Sequence, residues 1–176
     1  RSQAAMRSTP SKRARPTSIS MPGAMGSSMG GGCAAWYALR HPDAIEAAIH
    51  IAPGIEMEVG LARLLGVERM AAWERDGEVL FAHELGEYPL GWGLIEDLRG
   101  YDRSELSVGY RTPTLIFQGV RDTSVAYTAV LDFAAACRGA VHTVLMSDGD
   151  HRLTDRLPYL WRLIEAFLIE RGVLDG

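Results

Sequence analysis

Lysine is almost missing from this sequence: Lys12 is the only one among 176 residues. That excludes a phosphate-binding loop, whose Gly-Lys-Ser/Thr element needs a lysine to reach the phosphates. Cysteine is nearly as scarce. Cys33 and Cys137 are more than a hundred positions apart, which offers neither a disulfide framework nor the close spacing of a zinc cluster. Both are expected to be packed thiols in a reducing compartment. No stretch approaches the eighteen or so continuous apolar residues of a membrane span, and no secretory apolar segment stands near the start. A net charge of −4 gives no overall attraction to nucleic acid or to an anionic membrane. A soluble protein is expected, in the cytoplasm, with no nucleic-acid partner, and nothing in the sequence sets its oligomeric state.

What is present is ordinary globular material, 47% apolar and 23% charged, enough for one domain or a large piece of one. Positive charge is concentrated at the start. Arg1, Arg7, Lys12, Arg13 and Arg15 fall in the first sixteen residues, where there is no Asp or Glu. Residues 1–20 are expected to be a disordered basic tail. Arg- and Ser-rich, acid-poor composition is also that of an organellar transit segment, which makes the mitochondrial matrix the alternative location.

Residues 21–176 read as one partial α/β domain. Met29–Arg40 is helical in pattern and ends at His41-Pro42, since proline disfavours helix in the residue before it. Ala44–Ala52 contains a short buried strand stopped by Pro53-Gly54. An insertion over about 56–110 is mostly helical in pattern, broken at Gly66, Gly77, 86–89 and Gly100, and is expected to form a cap. Thr114–Gln118 is a buried strand closed by Gly119, Val125–Cys137 a helix and Val141–Met146 another strand. Leu157–Glu170 carries apolar residues at 157, 160, 161, 164, 167 and 168, the spacing of a helix packed on a sheet. This alternation implies a parallel sheet of about three strands with crossover helices.

Gly26-Ser27-Ser28-Met29-Gly30 matches G-x-S-x-G, in which a serine occupies a sharp strand-to-helix turn between small residues. The glycines decide the register. Ser27 would need glycine at 25 and 29, and both are Met, so Ser28 is the candidate nucleophile. The helix that follows aims its N-terminal N–H groups at developing negative charge, with the N–H of Met29 as candidate oxyanion donor. No G-x-G-x-x-G runs through residues 23–32, so a dinucleotide fingerprint is absent. Asp122 directly follows the strand 114–118, on the edge where parallel sheets bind ligands. The competing reading is a loop Asp closing an Asx-turn. His151, in Asp148-Gly149-Asp150-His151-Arg152, follows the strand 141–146. Each feature alone is weak. Their order, Ser, Asp, His, each after its own strand, is that of a hydrolytic triad with Ser28 as nucleophile, His151 as base and Asp122 as orienting acid.

Other candidates are weaker. His83-Glu84 is not followed by a second histidine at 87, so the zinc-protease pattern fails. His41, His50 and His142 fit structural positions, and Asp148 and Asp150 lie too close to His151 to be its orienting acid. Trp73, Tyr88, Trp92 and Tyr101 fit packing roles better than a cofactor box, with the lining of an acyl pocket as the alternative for some of them. No cofactor and no metal is expected.

Gly26–Gly31, Arg40-His41-Pro42-Asp43 and Ala52-Pro53 resemble the small α/β-hydrolases. The segments Phe117-Gln118-Gly119 to Asp122, Asp148–Leu153, Ala72–Gly77 and Leu94–Asp97 are most similar to proteobacterial esterase-like members and to the mitochondrial acyl-protein thioesterase branch. The resemblance covers 26 to about 170 and implies hydrolysis of carboxylic esters or thioesters without a cofactor. A peptidase of the same fold and a catalytically silent binding module are the alternatives. In that fold roughly eighty residues precede the nucleophile and supply the second oxyanion donor; here 27 do. With Pro22 and Gly23 beside the expected elbow strand, a truncated or frame-altered N-terminal part is expected.

Overall fold

The structure is a computed structural model that describes residues 23–83 and 86–176. The basic stretch 1–20, with its expected disorder or transit role, lies outside the described residues. Its centre is a parallel sheet of four strands: β1 (Ala24–Ser27), β2 (Ala48–Ile51), β5 (Thr114–Gly119) and β6 (Val141–Met146), in the order β1-β2-β5-β6. The sequence suggested about three. The strand it undervalued is β1, a four-residue AMGS segment with no β-branched residue. Among the described residues β1 pairs with β2 alone.

β5 is buried at every position because it has a strand on each side and helices on both faces. Its side chains alternate between two cores, as strand geometry requires. Ile116 enters one, with Ala35, Ala38, Leu106, Tyr110, Val130 and Phe133. These residues come from α1 (Met29–Arg40), α4 (Arg103–Gly109) and α5 (Tyr127–Ala136), together with Tyr110 just beyond α4. Leu115 and Phe117 enter the other, against Leu160, Ile164 and Phe167 of α6 (Leu157–Glu170). The apolar stripe of α6 is narrower than its spacing suggested, for Leu157 and Trp161 are exposed. Trp161 lies about 100° round the helix from Leu160, beyond the reach of the sheet.

The segment between β2 and β5 is less helical than expected. After α2 (Met57–Asp76), kinked at Gly66 (φ 76°, ψ 166°), come the antiparallel strands β3 (Glu78–His83) and β4 (Gly86–Gly91), then α3 (Gly93–Arg99) and α4. Pro89 concealed β4. It is tolerated because each strand of a two-stranded sheet keeps a free edge, so the missing N–H breaks no central ladder. The segment has its own small core, in which the buried Trp73 meets Trp92 edge-on at 5.5 Å beside Leu65 and Ile95.

Cys33 departs from the sequence expectation. It is exposed, whereas Cys137 is half-buried. α1 buries Gly31, Ala35 and Ala38 against the sheet, which turns Cys33 and Tyr37 to the outer side.

Candidate active site

Ser28 forms the corner between β1 and α1. Its backbone lies at φ 51°, ψ −125°, a conformation side chains avoid and that costs about 1–3 kcal/mol unless the surroundings impose it. Here they do. The Ser28 N–H donates to the Ile51 carbonyl at 2.9 Å, and the Ser28 carbonyl accepts from Gly54 N–H at 2.8 Å and Gly32 N–H at 3.1 Å. The two motif glycines are not equivalent. A Cβ on Gly26 would lie 2.4 Å from the Gly30 carbonyl oxygen, so the turn closes only with glycine there, whereas a Cβ on Gly30 would meet nothing within 4 Å.

Asp122 hangs from the loop after β5, its side chain wholly inaccessible. Oδ1 accepts from the N–H groups of Ser124 and Val125, each at 2.8 Å, and so closes an Asx-turn. Oδ2 lies 2.8 Å from His151 Nδ1 and accepts from Gln118 Nε2 at 3.0 Å. One side chain therefore both closes the loop and contacts His151. Burial on its own would raise the pKa of this carboxyl. The hydrogen bonds from His151, Val125 and Gln118 outweigh it and hold the group below the usual carboxylate range.

His151 sits in the loop after β6, and its Nε2 is 3.0 Å from Ser28 Oγ. The loop is seated on β5, where a Cβ on Gly119 would come within 2.3 Å of the Asp150 carbonyl oxygen. Asp150 Oδ1 accepts from the N–H groups of Arg152 and Leu153, both at 2.9 Å, which lowers its pKa. Asp148 pairs with Arg156 at 2.5 Å. Both acids are engaged in shaping the loop. The N–H of Met29, first residue of α1, has no acceptor within the helix.

Ser28 and His151 open onto a cavity of about 1240 Å³ between the sheet and the α2–β4 segment. Its walls are mainly apolar, with Met57, Leu61, Leu64, Phe81, Leu90 and Leu94 among them; Glu56, Arg63 and Arg152 supply charge. Tyr88 also lines it, whereas Trp73 is core and Tyr101 packs on Trp36 at 5.0 Å.

Three other histidines lie elsewhere. His41 packs on Tyr37 and His142 lies near Phe167. His50 is fully buried in β2, with Nε2 3.3 Å from the Tyr110 hydroxyl and Nδ1 unpartnered among the described residues. Burial pushes its pKa down to about 4 and that of Tyr110 up to about 12. Among the described residues no three His, Cys, Asp or Glu side chains are grouped to hold a metal, and no helix is long and apolar enough to cross a membrane.

Sequence reasoning missed Gln118 and the N–H of Gly54. Gln118 carried a readable signal, a polar residue in an otherwise apolar strand. Gly54 carried none, because its role is a backbone contact between loops distant in sequence.

Residues 10–89 match an esterase family model described as "Putative esterase". No curated protein matches the sequence. Among solved structures, the chain is similar to alpha/beta hydrolase domain-containing protein 10 from mouse, at 22% identity and TM-score 0.69, covering 84% of this chain and 62% of that one. It is also similar to Est1E of Butyrivibrio proteoclasticus, solved with ferulic acid, at 21% identity and TM-score 0.69, covering 85% and 59%. An esterase of Pyrococcus furiosus aligns at 19% identity and TM-score 0.59, covering 85% and 53%. The chain thus spans about three-fifths of the first two of these structures. The shared architecture is the α/β-hydrolase fold.

Proposed function

We propose that this chain, which has the α/β-hydrolase fold and an esterase-like segment, is a serine hydrolase cleaving carboxylic ester or thioester bonds through an acyl-enzyme. The observation that supports this reading is the unbroken path from Ser28 Oγ to His151 at 3.0 Å and from His151 to Asp122 at 2.8 Å, at the mouth of a largely apolar cavity.

With the neutral imidazole protonated at Nδ1, that N–H donates to Asp122 and leaves Nε2 free to accept the Ser28 proton. Oγ attacks the substrate carbonyl as its proton passes to Nε2. The negative charge falls on the former carbonyl oxygen, within reach of the Met29 N–H and the α1 N-terminus. Collapse of the tetrahedral species breaks the bond to the leaving alcohol or thiol, which takes the proton from Nε2. Water, deprotonated by His151, then releases the acid and restores Ser28. Asp122 stays ionised throughout and stabilises the imidazolium. The apolar walls favour an apolar acyl or alkyl group.

A fluorophosphonate probe tests this. Covalent labelling of the folded chain, lost in Ser28→Ala, is the expected result. A folded sample that takes no label would instead make the chain a binding module.

A further inference from the structure

Gln118 is fully buried at the C-terminal end of β5, and its carboxamide is unevenly satisfied. Nε2, with two hydrogens, faces three acceptors: Asp122 Oδ2 and the Gly119 carbonyl, each at 3.0 Å, and the Val125 carbonyl at 3.3 Å. Oε1 is buried with no partner among the described residues. Turning the amide over would set its oxygen against all three acceptors, so the chemistry fixes its orientation. An orphaned buried acceptor is destabilising. Leucine or methionine would remove that orphan, together with the amide's contacts to the two loop carbonyls and to Asp122. Of these three contacts, the one on Asp122 reaches a side chain that also holds His151.

We infer that Gln118 is a positioning residue that sets the basicity of His151 by sharing Oδ2 of Asp122 with it. The inference builds on the hydrolase reading, but it can be measured without turnover. Oδ2 is the oxygen that steadies a protonated His151. A second donor there draws off part of its charge, so the imidazolium is stabilised less and the ring stays neutral, able to act as a base, to lower pH. The other charged groups of its loop and of the cavity wall are Asp150 and Arg152, and Glu56 and Arg63. Replacing Gln118 alters none of them.

The test is an imidazole ¹⁵N NMR titration of His151 in the full chain, alongside Gln118→Met and Gln118→Leu. The pKa of His151 should rise by about one pH unit in both variants, a tenfold gain in proton affinity. In parallel, kcat/KM for a p-nitrophenyl ester should fall about tenfold more on the acid limb than at high pH. Folded variants with an unmoved His151 pKa would overturn the inference, even if activity fell. Should neither variant fold, the wild-type Gln118 side-chain NH₂ resonance decides: it must shift with the titration of His151, and indifference to it overturns the inference. Loss of probe labelling in Ser28→Ala bears on the hydrolase reading alone.

Discussion

His50 offers a stability test that owes nothing to catalysis. It lies in the middle of β2, opposite Gly26 on one side and Ile116 on the other, and is wholly buried. Burial lowers its pKa from 6.5 to about 4. The unfolded chain therefore takes up a proton as pH falls through 6.5, while the folded chain declines it until about pH 4. The stability that a neutral His50 contributes is complete above pH 6.5 and drains away between there and pH 4. At 1.36 kcal/mol per pH unit the whole loss is about 3 kcal/mol, and about 2 kcal/mol is gone by pH 5. Its polar neighbour Tyr110 and the nearby Cys137, both raised to about 12, stay protonated across this range. Urea unfolding of wild type and His50→Gln at pH 7.5 and 5.0 isolates the effect, since other groups titrate alike in both. Wild type should lose about 2 kcal/mol more than the variant between the two pH values. Equal losses would refute the reasoning and mean that the β2 core accommodates the imidazolium.

The elbow makes a paired prediction: Gly26→Ala should cost about 2 kcal/mol or more and at least a hundredfold in kcat/KM, because the Gly30 carbonyl must move. Gly30→Ala should fold at least as stably, up to about 1 kcal/mol better, since alanine suits a helix; thermal melts and ester hydrolysis read both, and similar damage at the two sites would sink the distinction. Asp122→Asn should lower kcat by about three to four orders of magnitude with little change in KM, as the wrong histidine tautomer is favoured; a loss below tenfold in steady-state assays would remove Asp122 from the site.

Legibility followed the range of the interactions. β5 could be read because Leu115-Ile116-Phe117 is a continuous apolar run between Pro113 and Gly119, a pattern made by burial itself. Ser28 could be read because its glycine at 26 answers a contact only four residues away. β1 and the β3–β4 hairpin were obscured by Gly23, Gly26 and Pro89, residues whose local preference is overruled by strand pairing. The separation of 123 positions between Ser28 and His151 is bridged only by the tertiary fold. Chain order could suggest that they meet, and only the sheet could bring them to 3.0 Å. The unpartnered oxygen of Gln118 had no trace in sequence.

The sheet has one more consequence. Ser28 extends from β1, and Asp122 follows β5, two strands away across β2. Asp122 and His151 are fastened together by the seat of the 149–150 loop on Gly119, but Ser28 belongs to the other half of the ladder. In-line pairing of Ser27 with Ile51 and of Ile51 with Phe117 is what aligns the halves. A slip of one residue at either seam would carry the hydroxyl about 3.3 Å along the strands, farther than the whole hydrogen bond it must make. The Ser28–His151 contact is thus a vernier on strand alignment.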